Sequence, residues 1–225
     1  MIKIENIDVW GFEHAIRGMR NPMNSWDKSD SRVCDNLCGY CLEDLKHKKN
    51  CMHANNYIVG ENDLDLMQRL YKAGTEHRKY LRQIFVSMDI TAPLYWWKEA
   101  DTYKVGTVAN SCSTMHKIHA KEFEYNDFSH EHLLYDWQSQ LMNTIAMLNQ
   151  AREWYLTTKD KKWWWQMIQL LPSSYNQRRT ITMNYENVMS MINQREGHKL
   201  DEWNDFVAEL KNLPYVKEIM GENDG

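Results

Sequence analysis

Residues 63 to 93 read DLDLMQRLYKAGTEHRKYLRQIFVSMDITAP. Leu64, Met67, Leu70 and Tyr71 fall on one face at helical spacing, so NDLDLMQRLYKAG predicts a helix, with Gly74 as its stop. RQIFVSMDITAP then predicts a strand that ends at Pro93. Upstream, MIKIENIDVW places Ile2, Ile4, Ile7 and Val9 nearly in alternation and predicts a short strand. HAIRGMRNPM predicts a short helix ended by Pro22, and NSWDKSDS a polar loop. Downstream, LYWWKEADTYK reads as a short helix, and VGTVANSCSTMHKI, small and polar in its first half, as a binding loop. HEHLLYDWQSQLMNTIAMLNQAREWYL predicts a long helix with Leu134, Trp137, Leu141, Ile145, Leu148 and Trp154 at helical spacing and Ser129 as its cap. KKWWWQMIQLL is a further helix closed by Pro172, QRRTITMNY a short strand, and ENVMSMINQR and LDEWNDFVAELKNL two last helices. The expected class is α+β, mainly helical, with a small sheet and long helices. Strands and helices do not alternate regularly, which excludes a Rossmann sheet and a TIM barrel.

Length and composition set the remaining bounds. A chain of 225 residues, 43% hydrophobic, is enough for one good-sized domain, expected here over residues 1–225. A formal net charge of −4 gives no general basic field for a nucleic-acid backbone, so no nucleic-acid partner is expected. With 4 Pro and 9 Gly, long disordered linkers are not expected. No apolar run approaches the ~20 residues that span a bilayer, and the N-terminus lacks the pattern of a signal peptide. The expectation is a cytoplasmic protein whose cysteines are mostly reduced. Neither G-x-G-x-x-G nor a P-loop is present.

Four of the five cysteines stand in CDNLCGYCLEDLKHKKNCMH, residues 34 to 53, as C-x3-C-x2-C-x9-C. Cys34, Cys38, Cys41 and Cys51 are candidate ligands for a structural zinc ion, with His53 as a substitute for the fourth. The first three also match the cluster motif of radical S-adenosylmethionine enzymes, but the βα units such a barrel needs do not follow. Thiols without a metal are the third reading. The stretch is expected to be a cysteine-rich insertion over residues 30–58.

Three consecutive pieces resemble the flavin-dependent thymidylate synthases. The opening stretch is similar to that family's helix, gHtSPfEH turn, strand and closing aP, with His77 at the turn histidine and Pro93 at the proline. LYWWKEADTYKVGTVANSCSTMHK stands where the family carries R-H-R-x7-S with an asparagine–glutamate pair before the serine. Counted from Pro93, R-H-R falls on Thr102, Tyr103 and Lys104, and a glutamine just before it is Glu99. Asn110, Ser111 and Ser113 match N-E-x-S with one residue inserted. LLPSSYNQRRTITMNYENVMSMINQREGHKLDEW is similar to the tail LP…T…N-x-R…R…H…E. There Pro172, Thr182, Asn184 and Arg195 match, and the arginine of N-x-R is Glu186.

The resemblance covers roughly residues 60 to 205. It implies methyl or one-carbon transfer to a pyrimidine deoxynucleotide such as dUMP, with FAD as cofactor, a folate as carbon donor and a homotetramer as the assembly. It implies cofactor contacts at His77, Thr102, Tyr103, Lys104, Asn110 and Asn184, and substrate contacts at Glu99, Ser111, Ser113 and Arg195. No cysteine attacks the base in that family, so the cysteine-rich stretch has no part in the implied chemistry. The replacement of R-H-R favours an alternative, a non-catalytic nucleotide-binding or assembly protein that kept the fold. Arg178 and Arg179 could touch a phosphate, or blunt an exposed strand edge.

Overall fold

The computed structural model describes residues 2–34 and 57–222. Cys38, Cys41 and Cys51 lie outside the described residues, so the zinc expectation rests on positions not described, Cys34 excepted. Cys34 is buried. Among the described residues, no group of three or more His, Cys, Asp or Glu side chains is placed to hold a metal ion.

The sheet has four strands, β1 (Lys3–Trp10), β4 (Phe85–Pro93), β5 (Thr107–Ser111) and β6 (Asn176–Asn184). Their spatial order is β1-β4-β6-β5, with every neighbouring pair antiparallel. Alternation sets the faces. Val86, Met88, Ile90 and Ala92 of β4 are buried on the same side as Ile181 and Met183 of β6. On that side pack α1 (Phe12–Arg20), α2 (Glu61–Lys72), α3 (Leu94–Ala100), α6 (Tyr185–Arg195), α7 (Asp201–Lys211) and α8 (Val216–Met220). In α6, Tyr185, Val188, Met189 and Ile192 are buried, the i, i+3, i+4, i+7 stripe of a helix lying on a core. Trp96, Trp203 and Phe206 meet at 4.8–5.9 Å between ring centroids and fill the centre.

A second, smaller core belongs to the pair α4 (Tyr135–Thr158) and α5 (Lys161–Leu170) with Ile118, Phe123 and Phe128. The long helix was expected, but its start and its face differ. It begins at Tyr135, not after Ser129, because Ser129 is held in the preceding loop by Asn176 and the backbone of Ser174. Its buried stripe is Leu141, Ile145, Leu148 and Ala151, whereas Leu134, Trp137 and Trp154 are exposed. VGTVANSCSTMHKI is not wholly loop, since Thr107–Ser111 pairs with β6. Arg178 and Arg179 do not lie on a sheet edge, because β5 covers β6 on that side.

Arg32–Val33 (β2) pairs with Tyr57–Ile58 (β3), so the two ends of the cysteine-rich stretch stand side by side. Asp63 anchors that foot. Its carboxylate accepts from Arg20 Nε at 2.6 Å, from the hydroxyls of Ser29 and Ser31 and from the amides of Asp30 and Ser31. Asp30 in turn accepts from the amides of Asn62 and Asp63 at the start of α2. A Cβ on Gly60 would sit 2.2 Å from the Asp30 side chain, so this close approach needs glycine. Among the described residues, no helix is long and apolar enough to cross a membrane.

Candidate functional site

The helix α6 gathers four of the residues singled out from the sequence, Glu99, Tyr103, Asn184 and Arg195. It is about 16 Å long, and the α3–β5 turn runs alongside it. At the C-terminal end, Arg195 Nε donates to the Tyr103 hydroxyl at 2.9 Å and Nη1 to Glu99 Oε2 at 2.8 Å. Its guanidinium carbon lies 4.7 Å from the centre of the Trp203 ring, a cation–π contact. Trp203 Nε1 donates to the same Glu99 oxygen at 3.0 Å. The Tyr103 hydroxyl donates to Gln194 Oε1 at 3.1 Å. His198 Nδ1 accepts from the amide of Leu200 at 3.1 Å, and its Nε2 lies 3.3 Å from Arg195 Nη1 and 3.4 Å from Glu99 Oε2. Glu99 Oε2 is thus met by the guanidinium, indole and imidazole groups together.

At the N-terminal end, Asn184 caps α6 by accepting from the amide of Asn187 at 3.0 Å. Asn187 Nδ2 reaches back to the carbonyl of Val105 at 2.6 Å and to Thr107 Oγ1 at 2.9 Å. Gly106, between them, has φ +77°, and a Cβ there would lie 2.5 Å from Asn184 Nδ2. The turn that carries residues 102–104 is therefore fastened to α6 at both ends. Thr102 donates its hydroxyl to the Glu99 carbonyl, and Lys104 is exposed.

His77 is exposed in the turn before β4 and is tied by its amide to Gly74. Its neighbour Arg78 donates to Glu186 in the first turn of α6, and Arg82 does so from the 3-10 turn Lys79–Gln83. Counted from His77, the glutamate of gHtSPfEH falls on Arg82, while the arginine of N-x-R is Glu186. The two side chains pair with each other. Arg82 is held more basic than usual by the hydrogen bond and charge of Glu186, with Glu76 adding to the effect.

Three expected residues stand away from this helix. Asn110 and Ser111 lie further along β5, exposed, in register with Thr180 and Arg179. At about 3.3 Å per residue, Ser111 is about 13 Å from Thr107. Ser113 closes the following turn by accepting from the amides of Met115 and His116. Arg179 is also committed, to Asp101 at 2.6 Å and to the face of Trp97 at 4.2 Å. Arg178 pairs with Asp89, whose carboxyl is held well below the usual range by hydrogen bonds from Thr180, Asn6 and Arg178.

Gln194, Asn187, His198 and Trp203 were not among the expected site residues. His198 and Trp203 follow Arg195 closely in the tail segment, and that spacing was the available signal. Nothing in the sequence marks Asn187.

The residues at 102–104 do not fit a flavin diphosphate. The Thr102 and Tyr103 hydroxyls are spent on protein partners, Arg195 is neutralised by Glu99, and Lys104 alone of the three presents a charge outward.

No protein-family model matches the chain, and no curated protein matches it by sequence. Solved structures match it nearly end to end. Thymidylate Synthase X (ThyX) from Helicobacter pylori, with FAD and dUMP, superimposes with a TM-score of 0.68 at 14% identity, over 98% of this chain and 97% of that one. A second structure of that flavin-dependent enzyme, also with FAD and dUMP, gives 0.63 at 14%, over 96% and 97%. The UMP/dUMP methylase PolB from Streptomyces cacaoi, bound with 5-Br dUMP, gives 0.58 at 13%, over 98% and 95%. At these identities the likeness establishes the fold, which is ThyX-like.

Proposed function

We propose that the chain binds a pyrimidine deoxynucleoside monophosphate and transfers a one-carbon unit to its base. The observation that carries this reading is the likeness over at least 95% of both chains to two proteins whose structures hold dUMP or 5-Br dUMP. Glu99, Tyr103 and Arg195, which the resemblance names for ligand contact, are brought together on one helix end, and this supports the reading. Glu99 is an acceptor and Arg195 a donor, the two functions that a base edge requires. A methylene unit becomes a methyl group only by gaining a hydride, which the resemblance assigns to reduced flavin, with methylenetetrahydrofolate as carbon donor. A homotetramer is proposed with it, so that a neighbouring subunit completes the contacts that residues 102–104 lack.

A second reading, nucleotide binding or assembly without transfer, is favoured by the closed Glu99–Arg195 pair and the spent hydroxyls of Thr102 and Tyr103. Titration calorimetry with dUMP and dCMP, together with the absorption spectrum before and after addition of FAD, separates the two. Nucleotide binding with a flavin spectrum is expected for the transferase. Nucleotide binding by a protein that takes up no flavin selects the second reading. Binding of neither nucleotide rejects the transferase and the nucleotide-binding form of the second reading, and leaves assembly.

A further inference from the structure

We propose that Arg78 and Arg82, oriented by Glu186, form a phosphate-binding pair that replaces the cations missing at residues 102–104. The inference rests on the nucleotide reading above and names the group that this part of the site takes, a phosphate ester. Both arginines meet Glu186 through Nε, one on each carboxylate oxygen. A guanidinium held by its Nε keeps its outer nitrogens for a second partner. Those of Arg82 have no partner among the described residues, and its side chain is 49% exposed. Arg78 is 24% exposed, lies 5.5 Å from the centre of the Tyr71 ring and makes one long contact, 3.5 Å, to Thr75. The carboxylate therefore fixes two forks without using them up, which lowers the ordering cost of gripping a tetrahedral dianion.

The turn carries three cations, Arg78, Lys79 and Arg82, against Glu76 and the paired Glu186, and the first turn of α6 adds its amide dipoles. The pair stands on the turn beside His77, at the opposite end of α6 from the Glu99–Arg195 cluster.

The same chemistry serves the monophosphate of a nucleotide or the diphosphate of FAD, and paired ligands distinguish them. Affinities of dUMP and deoxyuridine, and of FAD and riboflavin, are measured for the wild type, Arg78→Ala, Arg82→Ala and the milder Arg82→Gln. We expect at least a tenfold loss for the phosphorylated ligand in each variant, with the unphosphorylated partner unchanged. The loss falls on dUMP if the pair grips the nucleotide, or on FAD if it grips the diphosphate. Thermal melts check folding, and because Arg82 is half exposed, Arg82→Gln is expected to melt with the wild type. If the wild type binds dUMP or FAD and all three variants bind equally well, the inference is overturned while the nucleotide reading stands. If the wild type binds neither, both fall together.

Discussion

Two ion-pair clusters in this molecule use the same residue types in opposite ways. Asp63 and Arg20, at the foot of the cysteine-rich stretch, are 0% and 5% exposed, and the carboxylate is surrounded by donors from Arg20, Ser29, Asp30 and Ser31. Glu186 is 14% exposed but opens to solvent through Arg78 and Arg82, 24% and 49% exposed, which keep unspent donors. A buried carboxylate must be fully satisfied, because each missing hydrogen bond costs a desolvated charge. A surface cluster has water to complete it and can release that water to a ligand. Satisfaction marks the first as architecture, and surplus marks the second as a place to bind.

Removing Asp63 should give the largest effect. Asp63→Ala leaves the Arg20 guanidinium buried without a counter-charge, which costs about 3–5 kcal/mol. It also frees the segment Ser29–Ser31 from α2. Urea unfolding followed by circular dichroism checks this, and a cost below about 1 kcal/mol would erase the distinction from the surface cluster. Acid should act through the same group. Burial pushes the Asp63 carboxyl up, but hydrogen bonds from Ser31, Ser29 and Arg20 and the charge of Arg20 outweigh it, so the folded group is more acidic than the unfolded one. Its contribution is therefore complete above the unfolded value of about 3.9 and is lost as pH falls through the lower folded value. Stability is expected to drop below about pH 4, and Asp63→Asn to flatten that drop.

The Glu99–Arg195 cluster should fall between the extremes. It is half open, with Glu99 at 36% and Arg195 at 19% exposure. Tyr103→Phe removes a hydroxyl that accepts from Arg195 and donates to Gln194, a loss of about 1 kcal/mol. The same urea experiment measures it. A loss as large as that of Asp63→Ala would move this cluster to the architectural side and weaken its standing as a ligand site.

How much of this was legible in the sequence follows from the range of the interactions. The helix–turn–strand of residues 63–93 was legible because period, glycine stop and proline end are local signals. The strand Thr107–Ser111 was not, since Val108, Ala109 and Asn110 carry no alternation and pair only because β6 offers its edge. Arg195 and Glu99 could be singled out separately, but their mutual pairing could not, as they are 96 residues apart. The pairing of Arg82 with Glu186 was hidden for the same reason. Glu186 looked like a bare departure from a motif until the structure showed it pairing with Arg78 and Arg82.

The smallest effect is expected at Trp137. The helical period assigned it to the buried stripe with Leu141, but it lies in the first turn of α4, beyond the reach of α5, and is 63% exposed. An exposed side chain making no buried contact changes stability by no more than about 0.5 kcal/mol when replaced, and Trp137→Ser should melt with the wild type. The measurement is worth making at two protein concentrations. Between Trp137 and Ala151 the helix carries no charged residue, although Met142 and Met147 point outward, more than half exposed. If Trp137→Ser destabilises the protein, and does so more at high concentration than at low, that surface is covered in an assembly, because association stabilises by mass action. Equal melting at both concentrations would confine the stabilising contacts to the two cores and the buried pair.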